Sequence, residues 1–221
     1  MPHDAVVQLK SVATDLLRSK ILPQESYLAG GTAVYFYLHH RVSIDLDFFS
    51  EVNFNPEKLL FYLQQQFEQV SLEVMEDSSL IAYLTKNKIK FSMFHLPYPL
   101  IQEVNHFSLA PGVECPVASL EDIAAMKSLA IAQRGSAKDF FDLYSMINCK
   151  NFQFDDIFKL VKLKYNIDDN YIYHLKTSFV YFDDAEAEVM SIITLDKKHH
   201  SQNMNAQLWD EIKRFFRGYI T

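Results

Sequence analysis

Only five of the 221 residues are glycine, two are cysteine and one is tryptophan. The cysteines, Cys115 and Cys149, are far apart and have no His or Cys at zinc-ligand spacing. This excludes a disulfide scaffold and a structural zinc site and leaves two free thiols. No apolar run reaches the roughly 18 residues of a membrane-spanning helix, and Met1-Pro2-His3-Asp4 lacks the basic-then-apolar layout of a signal peptide. The expected setting is the cytoplasm, without membrane contact. Lysine and arginine (21) are outnumbered by aspartate and glutamate (28), for a formal charge of -7. That excludes a surface attractive to nucleic acid throughout, but is compatible with a local basic patch beside an acidic metal site. Long Gly/Ser/Pro linkers, low-complexity tracts and internal repeats are absent, so any domain boundary is a short turn.

What is present is a core: 49% of the chain is hydrophobic. Val6 to Lys20 has helical spacing, with Val6, Leu9, Val12, Ala13, Leu16 and Leu17 on one face and Pro23 closing it. Thr32 to His40 predicts a second, short helix. From Ile44 the pattern alternates, with Ile44, Leu46 and Phe48 facing one way and Asp45, Asp47 and Phe49 the other, the signature of a strand with an acidic face. Asn55-Pro56 supplies a cap and a first-turn proline for a helix running to about Glu68. Strands follow near 70–75, 80–85 and 89–95. Val104 to Val117 reads as irregular or short-stranded, with a turn at Pro111-Gly112. From Ser119 onward the character is helical. Ser119 with Asp122, and Ser136 with Asp139, match an Asp-containing capping box and predict helices of about 120–133 and 137–148. Further helices are expected at 155–164, 168–181 and 204–218. The fold class is therefore α+β, with a mixed sheet in residues 1–117 and a helical domain in 118–221.

Two of the five glycines, Gly30 and Gly31, are adjacent at a predicted helix start. Lacking Cβ atoms, they let backbone N–H groups approach a ligand where a helix N-terminus already offers unpaired donors to phosphate, and Thr32 can add a hydroxyl. A tight turn needing positive φ would use the same residues. Asp45 and Asp47, on one strand face, have Cα atoms about 6.7 Å apart. Two carboxylates about 5 Å apart repel by roughly 3 kcal/mol at an effective dielectric near 20. A divalent cation reverses that sign, and Mg²⁺ suits a site of one or two carboxylates with positions left for phosphates. Solvated acids at a strand edge are the plainer alternative.

On the helix from Leu120, the residues Leu120, Ile123, Ala124 and Ile131 form an apolar stripe with Lys127 in its middle. A buried ammonium there needs an anion: a bound phosphate, or an internal carboxylate such as Asp139 or Asp142; alternatively its stem lies on apolar surface with its head in water.

The segments Leu28-Ala29-Gly30-Gly31-Thr32-Ala33, Arg41-Val42-Ser43-Ile44-Asp45-Leu46-Asp47-Phe48-Phe49-Ser50, Lys127 within 120–132, and Arg134-Gly135-Ser136-Ala137-Lys138-Asp139-Phe140-Phe141-Asp142-Leu143-Tyr144 occur in one order. In this respect the chain resembles the AbiEii-type nucleotidyltransferase toxins of the DNA polymerase β-like superfamily. The resemblance implies a polymerase β-like core that transfers a nucleotide from a nucleoside triphosphate to an acceptor, which in relatives can be a tRNA 3′ end. It implies one or two Mg²⁺ ions held by Asp45 and Asp47, and triphosphate contacts from Gly30, Gly31 and Thr32. Lys127 would offset phosphate charge with Asp139 in support, while Arg41, Ser43 and Asp142 would contact the nucleotide. A cognate antitoxin protein is the implied partner, within a bacterial toxin–antitoxin or phage-defence system. A non-catalytic nucleotide-binding or regulatory protein of the same fold is the alternative.

One departure stands out. Polymerase β-like enzymes usually carry a third carboxylate on a neighbouring strand, and the candidate strand, Lys88-Ile89-Lys90-Phe91-Ser92-Met93-Phe94-His95, has no acid. Ser92 or His95 is expected in that place, or Glu73 or Glu76 reaching in from an earlier strand. Lys86, Lys88, Lys90, Lys159, Lys162 and Lys164 fit solvated faces better than an acceptor path. The pairs His39-His40 and His199-His200 are assigned surface or packing roles.

Overall fold

The computed structural model describes residues 2–85 and 89–219, so Lys86 and Lys88 lie outside the described residues. The chain divides into two compact units. One comprises Met1–Ala33, Ser43–Pro99 and Glu103–Ala118, the other Val34–Val42, Leu100–Gln102 and Ser119–Thr221.

The first unit is built on a seven-stranded mixed sheet. Its strands are β1 (Tyr27–Ala29), β2 (Leu46–Ser50), β3 (Val70–Glu76), β4 (Ser79–Leu84), β5 (Ile89–His95), β6 (Asn105–Ala110) and β7 (Val113–Val117), in the order β3-β4-β5-β2-β1-β7-β6. β2 runs antiparallel to β1 and parallel to β5, and β1 runs parallel to β7. Helix α1 (Pro2–Ser19) buries Leu9, Val12, Ala13 and Leu16 and lies against β6 and β7. Helix α3 (Pro56–Gln66) buries Leu59 and Leu63 and lies against β3 and β4. Its start is the expected cap, with Lys58 N donating to the Asn55 side chain at 2.7 Å. Helix α2 (Gly30–Leu38) begins in this unit and continues into the second.

Three sequence expectations change here. The strand after α2 starts at Leu46, so Asp45 precedes it and only Asp47 and Phe49 keep the predicted outward alternation. Residues 105–117 form a hairpin around Pro111-Gly112, with a register shift between Ser108 and Ala110 and Gly112 at φ +70°. The three-residue strand β1, too short to show a period, is completely buried.

The second unit is helical: α4 (Leu120–Arg134), α5 (Ala137–Lys150), α6 (Phe154–Tyr165), α7 (Asp169–Ser178) and α8 (Ala206–Arg217), with a 3-10 turn at Glu186–Ser191 and a small hairpin of β8 (Ile193–Leu195) and β9 (Ser201–Asn203). The chain after α2 joins that hairpin, with Val42 N donating to the Ile193 carbonyl at 2.8 Å. Helix α4 is central, contacting α5, α6 and α7. Around it Phe140, Phe154, Phe179, Trp209 and Phe216 close an aromatic core. No described helix is long and apolar enough to cross a membrane.

Of the two expected capping boxes, one supplies its N-cap bond. Ser119 accepts from Asp122 N at 3.0 Å. Ser136 makes no side-chain cap bond: its hydroxyl donates to Glu188 Oε2 at 2.5 Å, and Asp139 N donates to the Ser136 carbonyl instead. Lys164 is not on a solvated face either. It is completely buried and donates to Asp122 Oδ1 at 2.8 Å. Cys149 is exposed and Cys115 buried, where loss of solvent pushes its thiol up to about 12.

Candidate functional site

In the first unit, β1 ends at Ala29 and the chain turns directly into α2 at Gly30, whose φ is +72°. A side chain there would be strained by the backbone alone. It would also collide, since a carbon added at Gly30 would lie 2.7 Å from Asp47 Oδ2. The glycine thus makes room for the Asp47 carboxylate as well as for the turn. Thr32, completely buried in the first turn of α2, donates to the Asp45 carbonyl at 2.5 Å and lies 3.1 Å from Ser43 Oγ. A hydroxyl has a single proton, so Thr32 commits its donor to fixing the segment Ser43–Asp45. Gly30, Gly31, Thr32, Ser43, Asp45 and Asp47 are thereby gathered around one helix start.

The sheet fixes what flanks Asp47. Its register partners are Ala29 on β1 and Ser92 on β5. Ser92, not His95, stands beside it, for His95 pairs with Ser50 three residues along and so on the opposite face. Glu73 and Glu76 lie on β3, three strands from β2, and Glu73 is paired with Lys90 at 3.3 Å. Among the described residues no group of three His, Cys, Asp or Glu could share a metal ion. A Mg²⁺ ion still fits. The donors are hard carboxylate oxygens two residues apart, and one of them rests over a glycine that leaves its oxygen space.

In the second unit, Asp142 and Asp139 anchor a buried ionic network. Arg41 holds Asp142 in a fork, with Nε at 2.6 Å from Oδ1 and Nη2 at 2.8 Å from Oδ2. Lys127 Nζ lies 2.6 Å from Asp142 Oδ2 and 2.8 Å from Asp139 Oδ1. Arg134 grips Asp139 with Nε at 2.7 Å and Nη2 at 3.0 Å. Lys127, 6% exposed, thus has internal carboxylates as neighbours, as one of the sequence alternatives held. Asp142 is one turn on from Asp139 and gives its oxygens to Arg41, Lys127 and His40.

Charges in this network stabilise one another. Burial raises the Asp142 carboxyl, but Arg41 and Lys127 outweigh it and hold it well below its usual range. Asp139 follows the same pattern: Lys127 and Arg134 overcome burial and depress it. Burial opposes the charge on Lys127, while Asp142 and Asp139 more than restore it and raise its pKa. His40 behaves oppositely. Burial lowers it more than its bond to Asp142 raises it, so the imidazole is neutral. A neutral ring donating from Nε2 to Asp142 Oδ1 at 2.7 Å leaves Nδ1 as a bare acceptor, and that atom is buried without a partner among the described residues.

Sequence reasoning missed two members of this network. Arg134 precedes Asp139 by five residues across the left-handed Gly135 turn, a geometry that the Arg-Gly-Ser spelling hinted at. His40 carries no local signal, since its partner is 102 positions away. Lys159 and Lys162 are paired to Asp156 and Asp169 at the surface, and His199 and His200 are exposed.

Comparison with known proteins identifies a family and related chains. The profile of a family described as nucleotidyl transferase AbiEii toxin, type IV toxin–antitoxin system, matches residues 15–219. A relative from Aquifex aeolicus (strain VF5), described as an uncharacterized protein, is 36% identical over 198 residues, covering 88% of this chain and 85% of its own. The nucleotidyltransferase toxin MenT4 from Mycobacterium tuberculosis has a similar fold, with a TM-score of 0.51 at 12% identity over 96% of this chain and 82% of that one. An antigenic nucleotidyltransferase-like protein from Paracoccidioides brasiliensis matches with a TM-score of 0.49 and 18% identity, over 78% and 93% of the two chains.

Proposed function

Because the chain belongs to the AbiEii family of nucleotidyltransferase toxins, we propose that it transfers a nucleotide from a nucleoside triphosphate to an RNA hydroxyl such as a tRNA 3′ end. In this reading it is the toxin-like component of a bacterial toxin–antitoxin or phage-defence system, countered by a cognate antitoxin protein. The observation that carries the reading is the seat of Asp47 over Gly30, beside Asp45 tied down by Thr32.

In the reaction the acceptor oxygen forms a bond to the α-phosphorus, the bond from that phosphorus to the β-phosphate oxygen breaks, pyrophosphate leaves, and the hydroxyl proton passes to a base. Asp45 and Asp47 would hold Mg²⁺, which when bound supplies Lewis-acid neutralisation of the triphosphate. Gly30 and Gly31 would present backbone N–H groups of the helix start to phosphate oxygens. Thr32 and Ser43 hold the Asp45 backbone, so the carboxylate need not be ordered when substrate arrives. In the second unit Asp139 and Asp142 fix the Lys127 ammonium, and Arg41 fixes Asp142.

The experiment is incubation with Mg²⁺, total tRNA and each labelled triphosphate in turn, beside an Asp45→Ala/Asp47→Ala variant. Labelled RNA from the wild type alone supports transfer. A second reading, a nucleotide-binding regulator, rests on Ser92 standing beside Asp47 where the family's enzymes carry an acid, and predicts nucleotide and Mg²⁺ binding without product. Binding of neither ends both.

A further inference from the structure

Asp47 sits in a row of register partners running across the sheet: Ala29 on β1, Asp47 on β2, Ser92 on β5 and Ile81 on β4. Register partners project from the same face, as the next row confirms, where Tyr27, Phe49 and Phe94 lie with ring centroids 6.1 and 5.3 Å apart. The two positions from which a neighbouring strand could bring an acid to Asp47 are therefore Ala29 and Ser92. Neither is acidic, and both are buried. Along the face beyond Asp47 the row is aromatic, which excludes a hydrated ion from that direction.

A two-ion centre holds its ions about 3.5–4 Å apart and brings four positive charges to be matched by carboxylates and substrate. Asp45 and Asp47 supply two negative charges, enough for one Mg²⁺ with phosphate oxygens and water completing its shell. Building on the nucleotidyltransferase reading above, we infer that this protein works with one divalent ion per bound nucleotide, and that Ser92 occupies the position at which an acid would be required to hold a second. Ser92, rather than the Asp pair, then sets the metal count.

Counting bound Mn²⁺ by the loss of its free electron-spin-resonance signal tests this. The protein is saturated with an α,β-methylene triphosphate analogue, and the analogue alone serves as reference. The wild type is expected to bind one Mn²⁺ per bound nucleotide, more tightly than the analogue alone binds it, Asp47→Asn to hold that ion no more tightly than the analogue alone, and Ser92→Asp to bind two. Two ions in the wild type, or one in a folded Ser92→Asp protein, overturn the inference and leave the nucleotidyltransferase reading standing. A wild-type Mn²⁺ affinity equal to that of Asp47→Asn removes both. Because the wild-type count decides on its own, the inference remains testable if Ser92→Asp fails to fold.

Discussion

Asp47 Oδ2 occupies the space that a side chain at Gly30 would fill, 2.7 Å from where its Cβ would stand. The glycine therefore answers two demands, a φ of +72° and the close approach of a carboxylate, and these can be separated by mutation.

Gly30→Ala is expected to destabilise the fold by more than about 1 kcal/mol, since alanine at positive φ is strained even without a clash. In an Asp47→Ala background the clash component disappears and the backbone component stays. A double-mutant cycle by urea denaturation should therefore show coupling of about 0.5–3 kcal/mol, the range for residues in contact. Additive effects would mean that the carboxylate does not rest on Gly30.

Asp142→Asn keeps the shape of the side chain but strips the charge that Arg41 and Lys127 face. Removing one partner of a buried ionic network costs about 3–5 kcal/mol, so equilibrium unfolding should register a loss of that size. A loss below about 1 kcal/mol would place Asp142 in solvent-like surroundings, contrary to its burial.

Acid should weaken the second unit in two stages. His40 has its pKa lowered in the folded state, so the stability it contributes is full above its ordinary value of about 6.5 and is lost as pH falls below that. Asp139 and Asp142 are likewise depressed, and what they contribute is full above about 4 and lost as pH falls further through their folded values. His40→Gln, which can still donate to Asp142 but does not titrate, should flatten the change in urea midpoint between pH 7.5 and 5 and leave the stage below pH 4 intact. Equal slopes for wild type and variant would contradict a neutral buried His40.

The sequence made the local features legible and left the long-range ones hidden. Asn55 and Ser119 were readable as caps because a cap is decided within three residues. Ser136 was misread by the same rule, since its hydroxyl goes to Glu188, 52 positions away, and the Asp139 carboxylate that would complete the box goes to Lys127 and Arg134. The acidic pair was visible from spacing. That Asp45 lies just before its strand, anchored through its carbonyl by Thr32, was not, because spacing does not report where a strand's ladder begins. Lys127 was recognisable as a lysine in an apolar stripe, yet both carboxylates that neutralise it come from another helix. His40 on Asp142 is a product of topology that no window of sequence contains, whereas Ser92 beside Asp47 was one of the placements the strand pattern offered, and the register chose it over His95.

The central claim, that Asp45 and Asp47 serve nucleotidyl transfer, is tested most directly by where a labelled phosphate ends up. Triphosphates labelled at either the α or the γ position are incubated with the protein, Mg²⁺ and total tRNA, and the RNA is then isolated. The account expects α-label to enter RNA, γ-label to be released with pyrophosphate, and Asp47→Asn to lose the α-signal. Transfer of γ-label to RNA, or α-incorporation undiminished in Asp47→Asn, would contradict it.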